Sequence, residues 1–455
     1  MKKEREQFAS RLGFIMMTAG CAIGLGNVWR FPVATGAHGG GFFVLLYLFF
    51  LILLGFPVMM MELALGRAGR STFPGAFRNL RSKENNFKWQ LPAYVFFAGN
   101  FILLTFYSVI SGWLLAYAVK MISGAGHTLS PEYFSSFTAD TPQQIFYTFI
   151  MIALTVFICL GSLRGCIEKS IKWMMTGLFL LLFALVVKAL TLPNARAGVE
   201  FFLDPSLEKF AGNNFMETVH AAMAQAFFTL SLGIGSIAIC GSYFSKERSL
   251  PGEGLWIIIF DTAVAVCAGL IIFPSCFAYG VSPDAGPSLI FITLPLVFKN
   301  MTAGALWGAL FFLFLSIAAF STLVAVFENL TAFGMDEWNW SRKKSAGFFG
   351  ILLAVFSLPC IFGFGIWRNV NVFGIGSVLD FSDFIVSDNL LPLGALFLAV
   401  FCMNRYGWGS ENFYTEINTG KGLKFPHFAL PYLKWVVPLV IFSVWIIGLY
   451  KRFAG

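Results

Sequence analysis

Residues 20–32 read GCAIGLGNVWRFP and interrupt an apolar stretch that is long enough to cross a membrane. The glycines Gly20, Gly24 and Gly26, the amide of Asn27 and the charge of Arg30 are unsuited to a helix surrounded by lipid. Backbone that leaves the helical conformation at bilayer depth is tolerated only where it is buried in protein or lines a cavity. Such a break frees peptide groups that can bind a dehydrated ion or a zwitterion. The segment therefore predicts a binding site near the membrane midplane.

A second interruption lies at residues 225–236, QAFFTLSLGIGS, where Ser231, Gly233 and Gly235 break another apolar run. Interrupted helices at corresponding places in two halves of a chain are typical of transport sites. We interpret the two breaks as belonging to the first helix of each of two repeats. The position of the breaks supports the repeat, since sequence identity between the halves is too weak to do so.

The composition predicts an all-α integral membrane protein, because 58% of the 455 residues are apolar and only 12% are charged. Soluble domains carry about 25% charged residues. Eleven spans of roughly 20 residues or more are expected, at 12–35, 41–66, 89–122, 144–162, 168–191, 214–243, 254–280, 303–334, 346–364, 377–403 and 430–450. They form a single transporter domain over 1–455, with repeats at about 12–191 and 214–403 and an extra helix at about 430–450.

The net charge of +8 is distributed as expected for membrane topology rather than for nucleic-acid binding. Most of the 31 basic residues fall in segments on the side of the N-terminus, which the positive-inside rule places in the cytoplasm. We predict a multi-pass protein of the inner (plasma) membrane with its C-terminus outside, where Lys451 and Arg452 run against the rule. We interpret the first span as a membrane helix that stays in the protein and not as a cleaved signal peptide. The cysteines and histidines are scattered along the chain, which does not suit metal binding. The segment 286–300 is expected to form a re-entrant or lid-like helix hairpin.

The two breaks resemble those of the neurotransmitter:sodium symporter family, whose structural prototype is a bacterial leucine transporter. The matching stretches are GCAIGLGNVWRFP at 20–32, FFTLSLGIG at 227–235, FITLP at 291–295, AAFST at 318–322 and LDFSD at 379–383. The predicted eleven spans are similar to a bacterial branch that transports amino acids. The resemblance implies a 5+5 inverted repeat with unwound helices 1 and 6, alternating access, and coupling of sodium to the uptake of an amino acid or amine.

The resemblance also implies two sodium sites built from oxygen atoms, the ligands that hard cations prefer. The first comprises the Ala22 carbonyl, Asn27, Thr229 and Asp261. The second comprises the carbonyls of Gly20, Ile23 and Ala318 with the hydroxyls of Ser321 and Thr322. Taken alone, Asn27 could also make an interhelical hydrogen bond, and Ser321 and Thr322 could equally serve only close helix packing.

Asp261 departs from the family pattern, which has an asparagine at this position. Chloride-dependent relatives bind an anion near the positions of Tyr47, Gln225 and Thr229, and the prototype carries a carboxylate at the position of Ala265. An ionisable residue inside a span is functional by default. We predict that Asp261 supplies the negative charge and that transport needs no chloride.

The substrate site implied by the resemblance lies between the two breaks. Half-helix N-termini suit a carboxylate, and the lack of an acidic residue at Gly24 favours an α-amino acid over a monoamine. The apolar wall favours a neutral hydrophobic or aromatic side chain, although pockets of this kind discriminate weakly. The implied substrate-binding residues are Cys21, Ala22, Gly24, Leu25, Gly26, Leu103, Tyr107, Phe228, Thr229, Ser231, Ile234, Thr322 and Val326. Tyr107 alone would be as typical of packing as of binding.

Two gates are implied on either side of this site. Arg30 and Asp383 would close the outer path, with Phe228 as an aromatic lid. Arg5 and Asp336 would close the inner path, with Ser242 and Tyr243 nearby. Phe8 stands where the family usually has tryptophan, which predicts a looser inner gate.

Three other functions were weighed against symport. A sodium channel would need rings of charge or carbonyl groups in an oligomer, and the sequence contains no repeated filter loop. An intramembrane enzyme would need a paired nucleophile and base or a metal motif, and none is present in the sequence. A transport-inactive amino acid sensor has the same sequence features as a symporter. The oligomeric state is not indicated.

Overall fold

The computed structural model describes residues 5–84, 86–124, 126, 129–206, 215–281 and 289–454. In these ranges all regular secondary structure is helical, and the only β-type pairing is an isolated bridge between Arg248 and Lys421. The all-helical architecture expected from the composition is therefore confirmed for the described part of the chain.

Nine helical stretches in the described residues are long and apolar enough to cross a membrane. They are Gly41–Gly69, Gln90–Ile122, Thr141–Cys159, Leu163–Leu190, Leu250–Ala278, Gly304–Glu337, Arg342–Phe362, Val378–Met403 and His427–Tyr450. The pair Arg11–Ala22 and Gly26–Ala37, bent by 51°, gives a tenth when it is counted as one broken span. The predicted sixth span consists of two shorter helices, Phe215–Thr229 and Ser236–Ser242. The number eleven and the inverted repeat stay predictions.

Backbone conformation explains both breaks. The first helix ends at Ala22, because Ile23 adopts an extended conformation (φ −73°, ψ 100°), and the chain resumes with a π-helical turn over Gly26–Arg30. The second break has positive φ at Ser231 (51°), Gly233 (89°) and Gly235 (88°), which a right-handed helix cannot contain. A Cβ at Gly233 would also lie 2.3 Å from the Leu391 carbonyl oxygen, so only glycine fits there.

The broken helices lie inside the bundle rather than at its surface. The spanning windows of Gln90–Ile122 and Gly304–Glu337, which flank them, are 83% and 78% buried, whereas that of His427–Tyr450 is 17% buried. Outer helices expose large apolar side chains such as Phe157, Trp173 and Phe183. Such exposure suits a lipid environment. The burial of the two flanking helices shows that the breaks lie at the centre of the protein.

Short helices connect the spans at both ends of the bundle. They are Phe73–Leu80, Pro131–Ala139, Ala195–Leu203 and Ser410–Ile417. The predicted lid segment lies partly outside the described residues, and its described part is one buried apolar helix, Leu289–Asn300. Its Phe291 ring lies 6.2 Å from that of Trp29 and 5.8 Å from that of Trp113, so this helix covers the segment that follows the first break.

Candidate functional site

The first break exposes carbonyl oxygens because its amide groups find other partners. In a continuous helix the Gly24 N–H would donate to the Gly20 carbonyl. Here it donates to Asn27 Oδ1 at 3.1 Å, and the Leu25 N–H donates to the Tyr107 hydroxyl at 2.9 Å. The Asn27 N–H donates to the Gly24 carbonyl at 3.1 Å, so the Ile23 carbonyl loses its helical donor as well.

The four residues predicted for the first sodium site lie around this break. Asn27 Nδ2 donates to Asp261 Oδ1 at 2.8 Å, and the Thr229 hydroxyl donates to Asp261 Oδ2 at 3.1 Å. All three side chains are fully buried, and Ala22 lines the adjacent cavity. In the described residues Asp261 has no basic partner within 4 Å. A buried carboxylate without a counter-charge is costly, so this oxygen-rich group suits a monovalent cation.

The predicted second sodium site is equally rich in acceptors. The Thr322 hydroxyl lies 3.1 Å from both the Gly20 and Ile23 carbonyl oxygens and 3.4 Å from that of Ala318. The Ser321 hydroxyl donates to Ala318 at 2.9 Å. The single Thr322 hydroxyl proton cannot satisfy the Gly20 and Ile23 carbonyl oxygens at once. The unmatched lone pairs make this position suitable for a hard cation.

Replacing the Thr322 hydroxyl tests this position. We expect Thr322→Val to raise the sodium concentration for half-maximal uptake by about tenfold or more, since bonds to charged groups contribute about 1.5–3 kcal/mol each. Sodium titration of uptake into proteoliposomes measures the change. Thr331→Val on the same helix is the matched control, because this buried hydroxyl donates only to its own helix, at Phe327. An unchanged sodium dependence of Thr322→Val would exclude the site.

A cavity lies between the two breaks. Its lining residues are Ala22, Gly24, Gly26, Leu103, Tyr107, Phe228, Ser231, Thr322 and Leu391. All except Leu391 are among the residues predicted for substrate binding. Leu391 begins the helix Leu391–Met403, and nothing in the sequence distinguishes it from its apolar neighbours.

The five other predicted substrate residues do not line the cavity in this structure. Leu25 and Thr229 make the hydrogen bonds described above. The Cys21 thiol points to the Ser236 carbonyl oxygen, 3.7 Å away, and Ile234 packs against Gly99. Val326 is fully buried.

Glu62 organises the second break and was missed by the sequence analysis. It is fully buried, and its carboxylate accepts from the N–H groups of Gly233 (2.8 Å), Ile237 (3.0 Å) and Ala238 (3.3 Å). It thus caps the positive end of the helix Ser236–Ser242. The available signal was its position as the only acidic residue in the apolar segment 41–69.

Charged groups cover the cavity on the predicted outer side. Arg30 Nη1 lies 3.5 Å from Asp383 Oδ1, and the Arg30 guanidinium lies 4.5 Å from the centre of the Phe228 ring, which lines the cavity. Arg30 Nη2 also lies 3.7 Å from Asp388 Oδ1, a second carboxylate that the sequence analysis did not identify. One arginine therefore faces two acids at the predicted outer gate.

On the predicted inner side the corresponding ion pair is shorter. Arg5 Nη1 lies 2.7 Å from Asp336 Oδ2, Arg5 Nε donates to the Ser242 hydroxyl at 2.9 Å, and the guanidinium lies 4.9 Å from the Tyr243 ring centre. The Phe8 ring contacts that of Tyr243 edge-on at 5.9 Å. Both predicted gate pairs are thus in contact in this structure.

Sequence comparison decides the family of this chain. The model of the Sodium:neurotransmitter symporter family matches residues 5–129 and 136–453. The chain belongs to this family. The resemblance drawn from the first break is confirmed, and the protein is a multi-pass membrane protein of a sodium-dependent transporter family.

Full-length relatives agree with this assignment. A sodium-dependent transporter of Haemophilus influenzae is 32% identical over 460 residues, covering 98% of this chain and 99% of that protein. The sodium-dependent transporter YhdH of Bacillus subtilis is 34% identical over 448 residues, covering 97% of each chain. The chain also matches the crystal structure of MhsT in complex with L-phenylalanine. The two proteins are 35% identical in sequence and superpose with a TM-score of 0.87, over 97% of this chain and 99% of that one. The symporter family and the bundle described above therefore share one fold.

Proposed function

We propose that this symporter-family protein couples two sodium ions to the uptake of a neutral hydrophobic or aromatic L-amino acid by alternating access. The observation that carries the proposal is the cavity between the two breaks, whose lining combines hydrogen-bonding groups with apolar side chains. MhsT was solved with L-phenylalanine, and that likeness supports an amino acid substrate.

The substrate carboxylate would lie at the first break. The helix resuming at Gly26 directs its positive end there, and the Tyr107 hydroxyl accepts from Leu25 while its own proton is available to an anion. A Cβ at Gly24 would lie 2.2 Å from the Tyr107 hydroxyl and 2.4 Å from the Thr322 hydroxyl. An acidic side chain therefore has no room at this position, which favours substrates that carry their own carboxylate.

The remainder of the substrate would meet carbonyl oxygens and an apolar wall. The ammonium group is assigned to the carbonyls of Ala22, Phe228 and Thr229 and to Ser231. Leu103, Phe228 and Leu391 form the apolar lining. None of the described residues that line the cavity carries a charge, which favours a neutral substrate.

Chloride is not required under this proposal. The Asp261 carboxylate lies between Asn27 and Thr229 and supplies one negative charge beside the first sodium position. The proposal further includes an inner-membrane location with a cytoplasmic N-terminus and an external C-terminus.

Binding and transport of all twenty amino acids by the purified protein test this function. Sodium-dependent binding of neutral hydrophobic or aromatic amino acids, with saturable counterflow in proteoliposomes, is the expected result. Flux without saturation would indicate a channel. Binding without sodium-driven uptake would indicate a sensor, and either result would overturn the proposal.

Removing one hydroxyl tests the carboxylate position. We expect Tyr107→Phe to weaken amino acid binding about 10- to 100-fold, because hydrogen bonds to charged groups contribute about 1.5–3 kcal/mol. Tyr117→Phe is the matched control on the same helix, since its buried hydroxyl makes no hydrogen bond in the described structure. Isothermal titration in sodium buffer measures both affinities. Equal affinities for the two variants would place the carboxylate elsewhere.

A further inference from the structure

Asp388 lies between two arginines at the outer end of the cavity. Its Oδ1 is 3.7 Å from Arg30 Nη2, and its Oδ2 is 3.0 Å from Arg452 Nη1. The Asp388 side chain is 20% exposed, against 27% for Arg30 and 41% for Arg452. One carboxylate thus connects the predicted outer gate with the helix Val437–Ala454, outside the predicted repeats.

A π-helical segment brings Asp388 to this position. Residues five apart lie about 140° apart around an α-helix, which would turn Asp388 away from the face of Asp383. The span Val378–Met403 is instead π-helical over Phe384–Leu390, and hydrogen bonding between residues five apart places Asp383 and Asp388 on one face. The Ser387 hydroxyl donates to Asp383 Oδ1 at 2.5 Å and orients the first carboxylate.

The helix Val437–Ala454 docks on the same π-helical segment through three contacts. Besides the ion pair with Asp388, the Arg452 guanidinium lies 4.6 Å from the Phe384 ring centre. Trp445 Nε1 donates to Asn389 Oδ1 at 3.3 Å. Arg452 is therefore held at the gate by its surroundings, which also accounts for a basic residue on the predicted outer side.

We propose that Arg452 is a positioning residue of the outer gate and acts through Asp388. The ion pair between Arg452 and Asp388 reduces the attraction of this carboxylate for Arg30. Arg30 can then separate from the span Val378–Met403 when the outer path opens. The gate then contains two positive and two negative charges, and Arg30 keeps Asp383 as its main partner. This inference rests on the proposed transport function, because only a carrier needs Arg30 to move.

The proposal predicts effects of opposite sign for the two partners. In Arg452→Gln, Asp388 keeps Arg30 as its remaining basic partner. Because Asp388 then attracts Arg30 more strongly, the outer gate stays closed for longer. In Asp388→Asn, Arg30 loses a partner and the gate opens more readily. Since partly exposed ion pairs contribute little individually, we expect changes of about two- to fivefold in each direction. The double variant should behave like Asp388→Asn.

Two measurements separate this proposal from the substrate assignment. Hydrogen–deuterium exchange of the peptide covering residues 26–37 needs no substrate and reports opening at the first span. We expect slower exchange in Arg452→Gln and faster exchange in Asp388→Asn. Dissociation of L-phenylalanine from the sodium-loaded protein should change in the same order. Failure of L-phenylalanine to bind, with the exchange pattern intact, would overturn the substrate class but not the gate.

Two further variants distinguish positioning from simple docking. Arg452→Lys keeps the charge and should retain most of the wild-type exchange rate. Lys434→Gln removes a charge near the other end of the same span, next to Trp435, and should change nothing at residues 26–37. If Arg452→Gln speeds exchange, or still alters it in the Asp388→Asn background, the helix merely docks and the proposal is wrong.

Discussion

Asp261→Asn is expected to reduce amino acid uptake in chloride-free medium by about 100-fold or more. The carboxylate is fully buried and accepts hydrogen bonds from Asn27 and Thr229, so it would be the only full negative charge beside the first sodium position. Removing one partner from a buried charge pair costs about 3–5 kcal/mol, which is more than two factors of ten in an equilibrium constant. Uptake into proteoliposomes with gluconate in place of chloride measures the loss.

The chloride response of this variant is the sharper readout. Asp261→Asn should regain part of its uptake when chloride is added, whereas the wild type should be indifferent to chloride. Glu253→Gln is a suitable control, because Glu253 is also buried but pairs with Arg11 at 2.9 Å on the predicted inner side. Its uptake should show no response to chloride. Stimulation of the wild-type protein by chloride would contradict the assigned role of Asp261.

Gly24→Ala is expected to abolish amino acid binding and uptake, with a loss of about 100-fold or more. The new Cβ would lie 2.2 Å from the Tyr107 hydroxyl and 2.4 Å from the Thr322 hydroxyl, closer than side-chain atoms can approach. The added methyl group therefore displaces both the Tyr107 hydroxyl, assigned to the substrate carboxylate, and the Thr322 hydroxyl, assigned to the second sodium site. Misplacement of binding groups by about 1 Å is enough for an effect of this size. Equilibrium binding and uptake measure it.

Gly177→Ala provides the matched control for this substitution. Gly177 lies within the span Leu163–Leu190, and nothing lies within 4 Å of an added Cβ. This variant should transport normally and be slightly more stable, by about 0.5–1 kcal/mol, since alanine is the better helix former. A comparison of thermal unfolding separates lost binding from lost folding. If the Gly24→Ala variant folds and binds the amino acid normally, the substrate does not bind in this cavity.

Residue type alone predicted the two breaks, because their causes are local. Glycine adopts positive φ at little cost, as at Gly233 and Gly235, and the extended turn after Ala22 lies within a short stretch that contains three glycines. The same reasoning marks Glu62 as functional, since it is the only acidic residue in the segment 41–69. The rule that an ionisable residue inside a span is functional applies to Glu62 as it does to Asp261.

Leu391 and Asp388 show where this reasoning ends. Leu391 lines the cavity, but apolar residues surround the helix that contains it, so hydrophobic periodicity cannot select one face. Asp388 joins Asp383 at Arg30 only because the intervening segment is π-helical. With the ordinary helical period, the sequence would have placed this carboxylate on another face.

The sequence by itself determined that this is a helical membrane protein of the symporter family with two interrupted helices, because composition and helix-breaking residues act over a few neighbours. Only the tertiary structure decided which oxygen atoms and apolar side chains meet at the breaks, and that Arg452 reaches the outer gate. These contacts join residues up to several hundred positions apart, and they depend on how the helices pack rather than on any single segment.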